Sequence, residues 1–176
     1  VDLRHFIDSL TCATVMGDLQ GKLVIDVGTG AGFPGVPLKL IYPTMRLTLV
    51  ESIGKKCRFL EELVALLELS DVTILPERAE TIGQISRHRA KYDWAVARAV
   101  APMPILVEYL LPLVKVGGTK KKKKGSSALQ DSAESLSAIA KLGGDTPQYH
   151  PIHLPQHPET YYLITVKKIK PTPASY

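Results

Sequence analysis

A strand, a glycine-rich loop and a helix follow one another near the start of the chain, and this succession constrains the fold more than any other feature. The apolar run 23–25 leads into the loop 26–35, which contains four glycines, and a short helical pattern covers 36–41. Glycine reaches positive φ without strain and lets a ligand approach the backbone closely. The segment therefore predicts a cofactor-binding loop, and the open question is which cofactor it holds.

Strand and helix patterns alternate along the rest of the chain, which favours an α/β fold with a mostly parallel sheet. The predicted helices are 1–10, 36–41, 55–69, 105–114 and 131–142, and the predicted strands are 23–27, 47–50, 72–75, 92–97 and 161–166. The third helix is predicted to carry its apolar side chains on one face, namely Phe59, Leu60, Leu63, Leu66 and Leu67. We expect the 105–114 helix to break or bend near Pro112. A proline-spaced extended segment, 147–158, is expected to pair with the last strand in antiparallel fashion at a sheet edge.

The composition is that of one globular domain. The chain has 176 residues, of which 45% are hydrophobic, and this is enough for a substantial core. No apolar run approaches the roughly 20 residues that a membrane span needs, so we expect no membrane partner. Two cysteines, Cys12 and Cys57, are too few for a disulfide scaffold, which favours a reducing, cytoplasmic location. Residue 1 is not methionine, and we expect residues 1–176 to be a single domain that has lost residues at its start.

Five consecutive lysines occupy residues 120–124 and account for the whole net charge of +5. By position this segment is the fifth strand, which lies inside the sheet, where strands are usually continuous apolar runs. Five lysines cannot be buried side by side without partners. The segment is therefore an exposed loop, a basic loop that contacts RNA, or a place where the lysines do not represent the natural residues. We favour the last explanation.

Three kinds of glycine loop compete for residues 26–35. A P-loop needs Lys followed by Ser or Thr after its last glycine, and this chain has a Pro-Leu pair there. A dinucleotide loop needs G-x-G-x-x-G, which the last three glycines satisfy, but that match leaves Asp26 and Gly28 without a role. The third pattern, Asp-x-Gly-x-Gly-x-Gly, is typical of S-adenosylmethionine (AdoMet) methyltransferases, in which the acid meets the cationic end of AdoMet directly or through water.

Glu51 ends the second predicted strand, 23 residues beyond Gly28. An acid at this place accepts hydrogen bonds from ribose hydroxyls. Glu51 therefore supports an adenosine-containing ligand without separating a dinucleotide from AdoMet.

Five blocks of sequence, in order between residues 4 and 125, resemble the RsmG (GidB) family of bacterial small-subunit ribosomal RNA guanine-N7 methyltransferases. The blocks are Arg4-His5-Phe6-Ile7-Asp8-Ser9, the loop 28–35, the segment 51–60, Arg78-Ala79-Glu80 and Arg98-Ala99-Val100-Ala101. The chain after residue 125 matches only in pattern. One departure stands out, because the family has an apolar stretch before its Lys-Gly pair and this chain has lysines before Lys124-Gly125.

The resemblance implies a class I AdoMet-dependent methyltransferase, with a Rossmann-like sheet of seven strands that is mostly parallel and has an antiparallel last strand. It also implies N-terminal helices ahead of residue 4. The expected cofactor-binding residues are Asp26, Gly28, Gly30, Phe33, Glu51, Ser52, Ile53, Ala79, Glu80 and Arg98. In the family pattern Glu51 to Ile53 hold the ribose and flank the adenine, and Ala79 and Glu80 meet the adenine.

The resemblance places Arg98 beside the methyl group and the target base, and makes it the expected catalytic residue. Guanine N7 carries a free lone pair and no proton, so we expect neither a general base nor a catalytic triad. Proximity and in-line orientation should supply the acceleration. Arg98 is expected to grip guanine O6 or a phosphate, and a structural salt bridge at the strand end is the alternative.

Clustered cations predict contact with an RNA backbone. The expected RNA-binding residues are His5, Lys55, Lys56, Arg58, Arg78 and Lys124, and two further basic clusters lie at 87–91 and 167–170. Cations in the first turn of a helix oppose its dipole, a cost that a docked phosphate offsets. Three histidines between residues 150 and 157 are interleaved with prolines and lack an acidic or cysteine partner, so we expect no metal.

The main hypothesis is therefore an AdoMet-dependent methyltransferase acting on guanine N7 of small-subunit ribosomal RNA, either as naked RNA or in the assembled 30S subunit. We expect it to act as a monomer on a loop or unpaired base, because N7 faces the deep groove of an RNA helix. The alternatives are a small-molecule methyltransferase, a hydride-transferring dinucleotide enzyme and a non-catalytic RNA-binding module.

Overall fold

A computed structural model describes residues 3–98, 101–124, 133–153 and 160–176, and within them a seven-stranded sheet with helices on both faces. The strands are β1 (Leu23–Val27), β2 (Arg46–Val50), β3 (Val72–Leu75), β4 (Tyr92–Arg98), β5 (Val114–Lys124), β6 (Gln148–His153) and β7 (Thr160–Lys167). The helices are α1 (Leu3–Met16), α2 (Gly35–Ile41), α3 (Gly54–Leu66), α4 (Ala79–Ile82), α5 (Met103–Leu110) and α6 (Ala133–Lys141), with a 3-10 turn at Leu111–Leu113. Within these ranges no helix combines the length and the apolar character that crossing a membrane requires.

The strand order is β3-β2-β1-β4-β5-β7-β6. The first five strands run parallel to one another, whereas β7 is antiparallel to both β5 and β6. This arrangement confirms the predicted sheet and the predicted antiparallel pairing of the last two segments. The order reverses at β1, which pairs with β2 on one side and β4 on the other, and ligands of such sheets bind in the crevice at that point.

The core has two layers, because successive strand residues point to opposite faces. On one face Val24 and Val96 pack with α1 and α2, and on the other Ile25 and Ala95 pack with α4 and α5. A third cluster joins α5 and α6 to β7. The carboxyl ends of β1, β2 and β4 lie between these layers, and the glycine loop follows β1 at this edge of the sheet.

Several helix boundaries differ from the prediction. Helix α1 continues to Met16 rather than ending near residue 10, because Cys12 and Met16 extend its buried face. Helix α5 ends at Leu110 and gives way to a 3-10 turn that contains Pro112, which confirms the predicted break. Val114, however, begins a strand.

The predicted apolar face of α3 is only partly correct. Leu60 is fully buried in the core, and Leu63 packs partly against it. Leu66 is 80% exposed, and Phe59 and Leu67 are also exposed. Helix α3 therefore contacts the sheet along a narrower stripe than its leucines indicate.

The lysine run lies within strand β5, between two neighbouring strands. Residues 120–123 pair with residues 95–98 of β4, and residues 120–124 pair with 162–166 of β7. An exposed loop and an RNA-contacting loop are therefore both wrong for this segment, because its backbone is part of the hydrogen-bonded ladder. Lys124, predicted to bind RNA, stands opposite Tyr162 in that ladder.

Candidate active site

A cavity of about 310 Å³ opens at the carboxyl ends of β1, β2 and β3, the size of a small-molecule site. Its walls come from the ends of these strands and from α4 and α5. The lining residues are Gly28, Val50, Glu51, Ser52, Glu77, Arg78, Ala79, Glu80, Ala101, Ile105 and Tyr109. The structure thus brings together predicted cofactor residues that are separated by about 50 positions in the sequence.

The cavity also contains residues that the sequence did not single out for the cofactor. Ile105 and Tyr109 project from α5, and Glu77 follows β3. Ile105 is exposed on a helix whose methionine, leucine and valine side chains are all buried. Helical periodicity alone does not tell a cavity wall from a core face.

The glycine loop exposes backbone without side chains at the carboxyl end of β1. Gly28 and Gly30 have φ values of 70° and 61°, in the left-handed region that favours glycine. A side chain added at Gly30 would meet no atom within 4 Å, so backbone conformation, and not lack of space, requires glycine there. The amides of Gly28 and Thr29 both donate to the Val50 carbonyl, which ties the loop to the end of β2.

Asp26 lies completely buried beneath the loop. Its Oδ2 accepts hydrogen bonds from the Thr29 hydroxyl at 2.8 Å and from the Gly35 amide at 2.9 Å, so one oxygen fastens both ends of the loop. Burial raises the pKa of this carboxyl to about 7. Its Oδ1 has no hydrogen-bond partner among the residues that the structure describes. An acceptor of this kind fits the water or ammonium group that the AdoMet pattern predicts at this acid.

Glu51 is held at the rim of the cavity with its carboxylate already oriented. Its Oε2 accepts the Gly30 amide at 3.1 Å, and its Oε1 accepts the Ile53 amide at 3.0 Å. The Lys56 ammonium lies 4.0 Å away. Because each carboxylate oxygen has a second lone pair, Glu51 can still accept hydrogen bonds from ribose hydroxyls. Ile53, half exposed beside it, offers an apolar surface to an adenine ring.

Arg98 ends β4 and is surrounded by residues of α1 and the loop. Its Nη1 lies 3.7 Å from Asp8 Oδ2 and 3.3 Å from His5 Nδ1. Its guanidinium carbon lies 5.7 Å from the centre of the Phe33 ring, whose other neighbours are His5 and the edge of Phe6. The salt bridge that the sequence offered as an alternative is therefore present. It leaves the Arg98 side chain 29% exposed.

The predicted RNA-binding residues that the structure describes lie on both sides of the site. Lys55, Lys56 and Arg58 are exposed at the start of α3, next to Glu51. Arg78 is exposed at the cavity rim and pairs with Glu80 at 3.6 Å, and His5 lies beside Arg98 on the far side.

Two residues of the further basic clusters are structural. The Arg89 guanidinium donates to the carbonyls of Gly83, Thr172, Pro173 and Tyr176 and so fastens the end of the chain. Lys168 is 1% exposed and donates to the Leu111 carbonyl and the Thr172 hydroxyl. Burial lowers the pKa of Lys168 to about 8. Lys168 is therefore too buried to contact an RNA backbone, and the hydrogen bonds of Arg89 give it a structural role.

The histidines near the end of the chain bond to neighbouring threonines. His150 Nε2 lies 2.9 Å from the Thr165 hydroxyl, and His153 Nδ1 lies 3.5 Å from that of Thr160. His157 falls outside the described residues.

The sheet, the bare glycine loop and the oriented acid after β2 define a class I AdoMet-dependent methyltransferase. Solved structures agree on the fold. The chain is similar to a SAM-dependent O-methyltransferase from Thermotoga maritima, with a TM-score of 0.70, 17% identity, and 95% of this chain and 66% of that one covered. It is also similar to a predicted O-methyltransferase from Agrobacterium tumefaciens, with a TM-score of 0.72, 15% identity, and 93% and 86% covered.

The chain belongs to the rRNA small subunit methyltransferase G (GidB) family, whose model matches residues 2–158. A ribosomal RNA small subunit methyltransferase G from Roseiflexus castenholzii is 47% identical over 173 residues, which cover 98% of this chain and 73% of the relative. A protein of the same name from Alkaliphilus metalliredigens is 46% identical over 176 residues, covering 100% and 74%. Membership confirms the resemblance, the AdoMet cofactor and the RNA methyltransferase class, and the dinucleotide alternative is wrong.

Proposed function

We propose that this chain transfers a methyl group from AdoMet to N7 of an unpaired guanine in small-subunit ribosomal RNA. The observation that carries the proposal is the position of Arg98. It stands at the carboxyl end of β4, next to the strand where the sheet order reverses, and within reach of the loop residue Phe33. A guanidinium there can donate to guanine O6, which is the group beside N7 on the same edge of the base.

AdoMet supplies a reactive methyl group, and N7 receives it through a free lone pair without loss of a proton. The residues of this chain therefore have to bind and orient rather than move a proton. Glu51 holds the ribose, the glycine backbone lets the cofactor lie close to β1, and Arg98 orients the base. Orientation of this kind can contribute about 7–11 kcal/mol to lowering a barrier.

The charge of the cavity supports a cationic cofactor. Glu51, Glu77 and Glu80 all line it, against one arginine that is itself paired with Glu80. Carboxylates attract a sulfonium, which carries a positive charge, more strongly than they attract the neutral product. We infer that this surplus of acids favours binding of AdoMet over its demethylated form.

The exposed start of α3 supports an RNA substrate. Lys55, Lys56 and Arg58 lie beside the cavity, where an RNA backbone can release counterions and dock. Because the proposed substrate is ribosomal RNA, naked or assembled into the 30S subunit, we place the reaction in the cytoplasm. We propose that a monomer carries it out.

The test uses 30S subunits and naked ribosomal RNA that lack N7 methylation, methyl-labelled AdoMet, and mapping of any new N7-methylguanine. We expect label at one guanine and at least a 100-fold lower rate for Arg98→Ala. The matched control is Arg46→Ala, which removes an exposed arginine from the amino end of β2. Full activity of Arg98→Ala would remove Arg98 from the mechanism. An absence of label in RNA with the unsubstituted chain would refute the proposed function.

A further inference from the structure

We propose that Asp8 is a positioning residue for the methyl transfer, because it holds the Arg98 guanidinium in place for the target base. The inference deepens the proposed function and rests on it. It starts from a contact between two residues that are 90 positions apart in the sequence and lie on different elements, helix α1 and strand β4.

The contact is partly shielded from water. Asp8 is 7% exposed, its side chain is 9% exposed, and the Arg98 side chain is 29% exposed. The two lie at the wall of a small cavity between α1 and the ends of β4 and β7, which Pro34 also lines. An ion pair in such surroundings is screened less by solvent than a surface pair.

Helix α1 presents Asp8 and His5 to Arg98 together. They are three residues apart and therefore lie on one face of the helix. Both contact the same nitrogen, Nη1 of Arg98, at 3.7 and 3.3 Å. Since a guanidinium only donates, His5 accepts through Nδ1, and the fork of Arg98 keeps further N–H groups for a substrate.

The position of α1 does not depend on this ion pair. Cys12 and Met16 bury its second half in the core, and the Ser9 hydroxyl bonds to the His5 carbonyl within the helix. Loss of the Asp8 charge should therefore release Arg98 and leave α1 docked. A purely structural role for Asp8 would instead predict that loss of its charge displaces α1.

The carboxylate also affects the charge at the reacting base. Methylation at N7 moves positive charge onto the purine, and an unpaired guanidinium next to it opposes that change. With Asp8 at 3.7 Å the carboxylate offsets part of the guanidinium charge, so Arg98 can donate hydrogen bonds at a smaller electrostatic cost. Asp8 should accordingly influence turnover more than cofactor binding.

The experiment compares Asp8→Asn, which keeps the shape and removes the charge, with Asp8→Glu, which restores the charge. The matched control is Asp93→Asn, because Asp93 sits at the opposite end of β4 and pairs with Lys115. We expect kcat to fall about 10- to 100-fold in Asp8→Asn and to recover partly in Asp8→Glu. The Kd for S-adenosylhomocysteine should stay within about twofold. Asp93→Asn should lower stability and leave kcat unchanged.

A double-mutant cycle and a spectroscopic signal complete the test. Asp8→Asn should add no further loss to Arg98→Ala, since both act through one group. The NMR signals of the Arg98 guanidinium should show restricted rotation in the parent chain and faster rotation in Asp8→Asn. Unchanged rotation, unchanged kcat or additive losses would each overturn the role of Asp8. The rotation measurement needs no RNA, so it decides the matter even if the parent chain transfers no label to RNA.

Discussion

Glu51 accepts a hydrogen bond from the amide of Gly30 at 3.1 Å, across 21 residues of sequence. The acid that follows β2 is thereby joined to the loop that follows β1. The other oxygen of Glu51 accepts the Ile53 amide, so both oxygens are oriented by backbone groups. One carboxylate therefore ties the segment after β2, where we propose that the adenosine binds, to the glycine loop.

Glu51→Gln should weaken AdoMet binding about 10- to 100-fold. Hydrogen bonds that involve a charged group contribute about 1.5–3 kcal/mol, and an amide can accept through only one of its two ends. Calorimetric titration with AdoMet measures the change. Glu61→Gln, on the exposed side of α3, is the control and should bind like the parent chain. Equal affinity in both variants would contradict the assignment of Glu51.

Gly35→Ala should destabilise the fold by about 1–3 kcal/mol, the usual cost of overpacking. An added Cβ would lie 2.9 Å from Asp26 Oδ2 and 2.8 Å from Leu49 Cδ2. Gly54→Ala is the matched control, because Gly54 also begins a helix and a Cβ there meets nothing within 4 Å. Urea unfolding of both variants makes the comparison. Equal urea midpoints for the two variants would contradict this prediction, because they would show that the loop accommodates a Cβ at Gly35 without loss of stability.

The stability of the fold should depend on pH through Asp26. Burial raises its pKa from 3.8 to about 7. Between these values the unfolded chain has lost the proton and the folded chain retains it, so stability falls as pH rises and levels off above pH 7. Asp26→Asn cannot ionise and should lack this decline. Urea unfolding between pH 4.5 and 8 measures the difference, and parallel profiles for the two chains would show that Asp26 is already ionised.

Arg89→Ala should lower stability by about 1–3 kcal/mol, because its hydrogen bonds to four carbonyls join residues 83 and 172–176. Arg87→Ala removes an exposed neighbour and should change stability by less than about 0.5 kcal/mol. Thermal unfolding separates the two. The slope of log RNA affinity against log salt concentration should be unchanged in Arg89→Ala. A shallower slope in this variant would show that Arg89 contacts the RNA backbone.

Elements with strong local signals were predicted correctly, whereas elements that depend on contacts between distant residues were not. The bounds of β1 and β3 were predicted correctly, since alternation and flanking turns are local signals. The second half of α1 was missed because it contains threonines and a valine, which are weak helix formers, and packing of Met16 overrides that preference. The lysine run was placed by its position as the fifth strand, and its pairing with β4 and β7 confirms that placement, whereas a loop was wrong.

The sequence alone determined the glycine loop, the acid that follows β2 and the family, because these features depend on backbone conformation and on spacing along the chain. Only the tertiary structure decided which charged residues face inward. Arg89 and Lys168 donate hydrogen bonds to backbone carbonyls of distant segments. Arg98 forms an ion pair with Asp8 of helix α1. The physical reason is that charge pairing and burial depend on which distant elements meet, and no local pattern around Asp8 or Arg98 records that meeting.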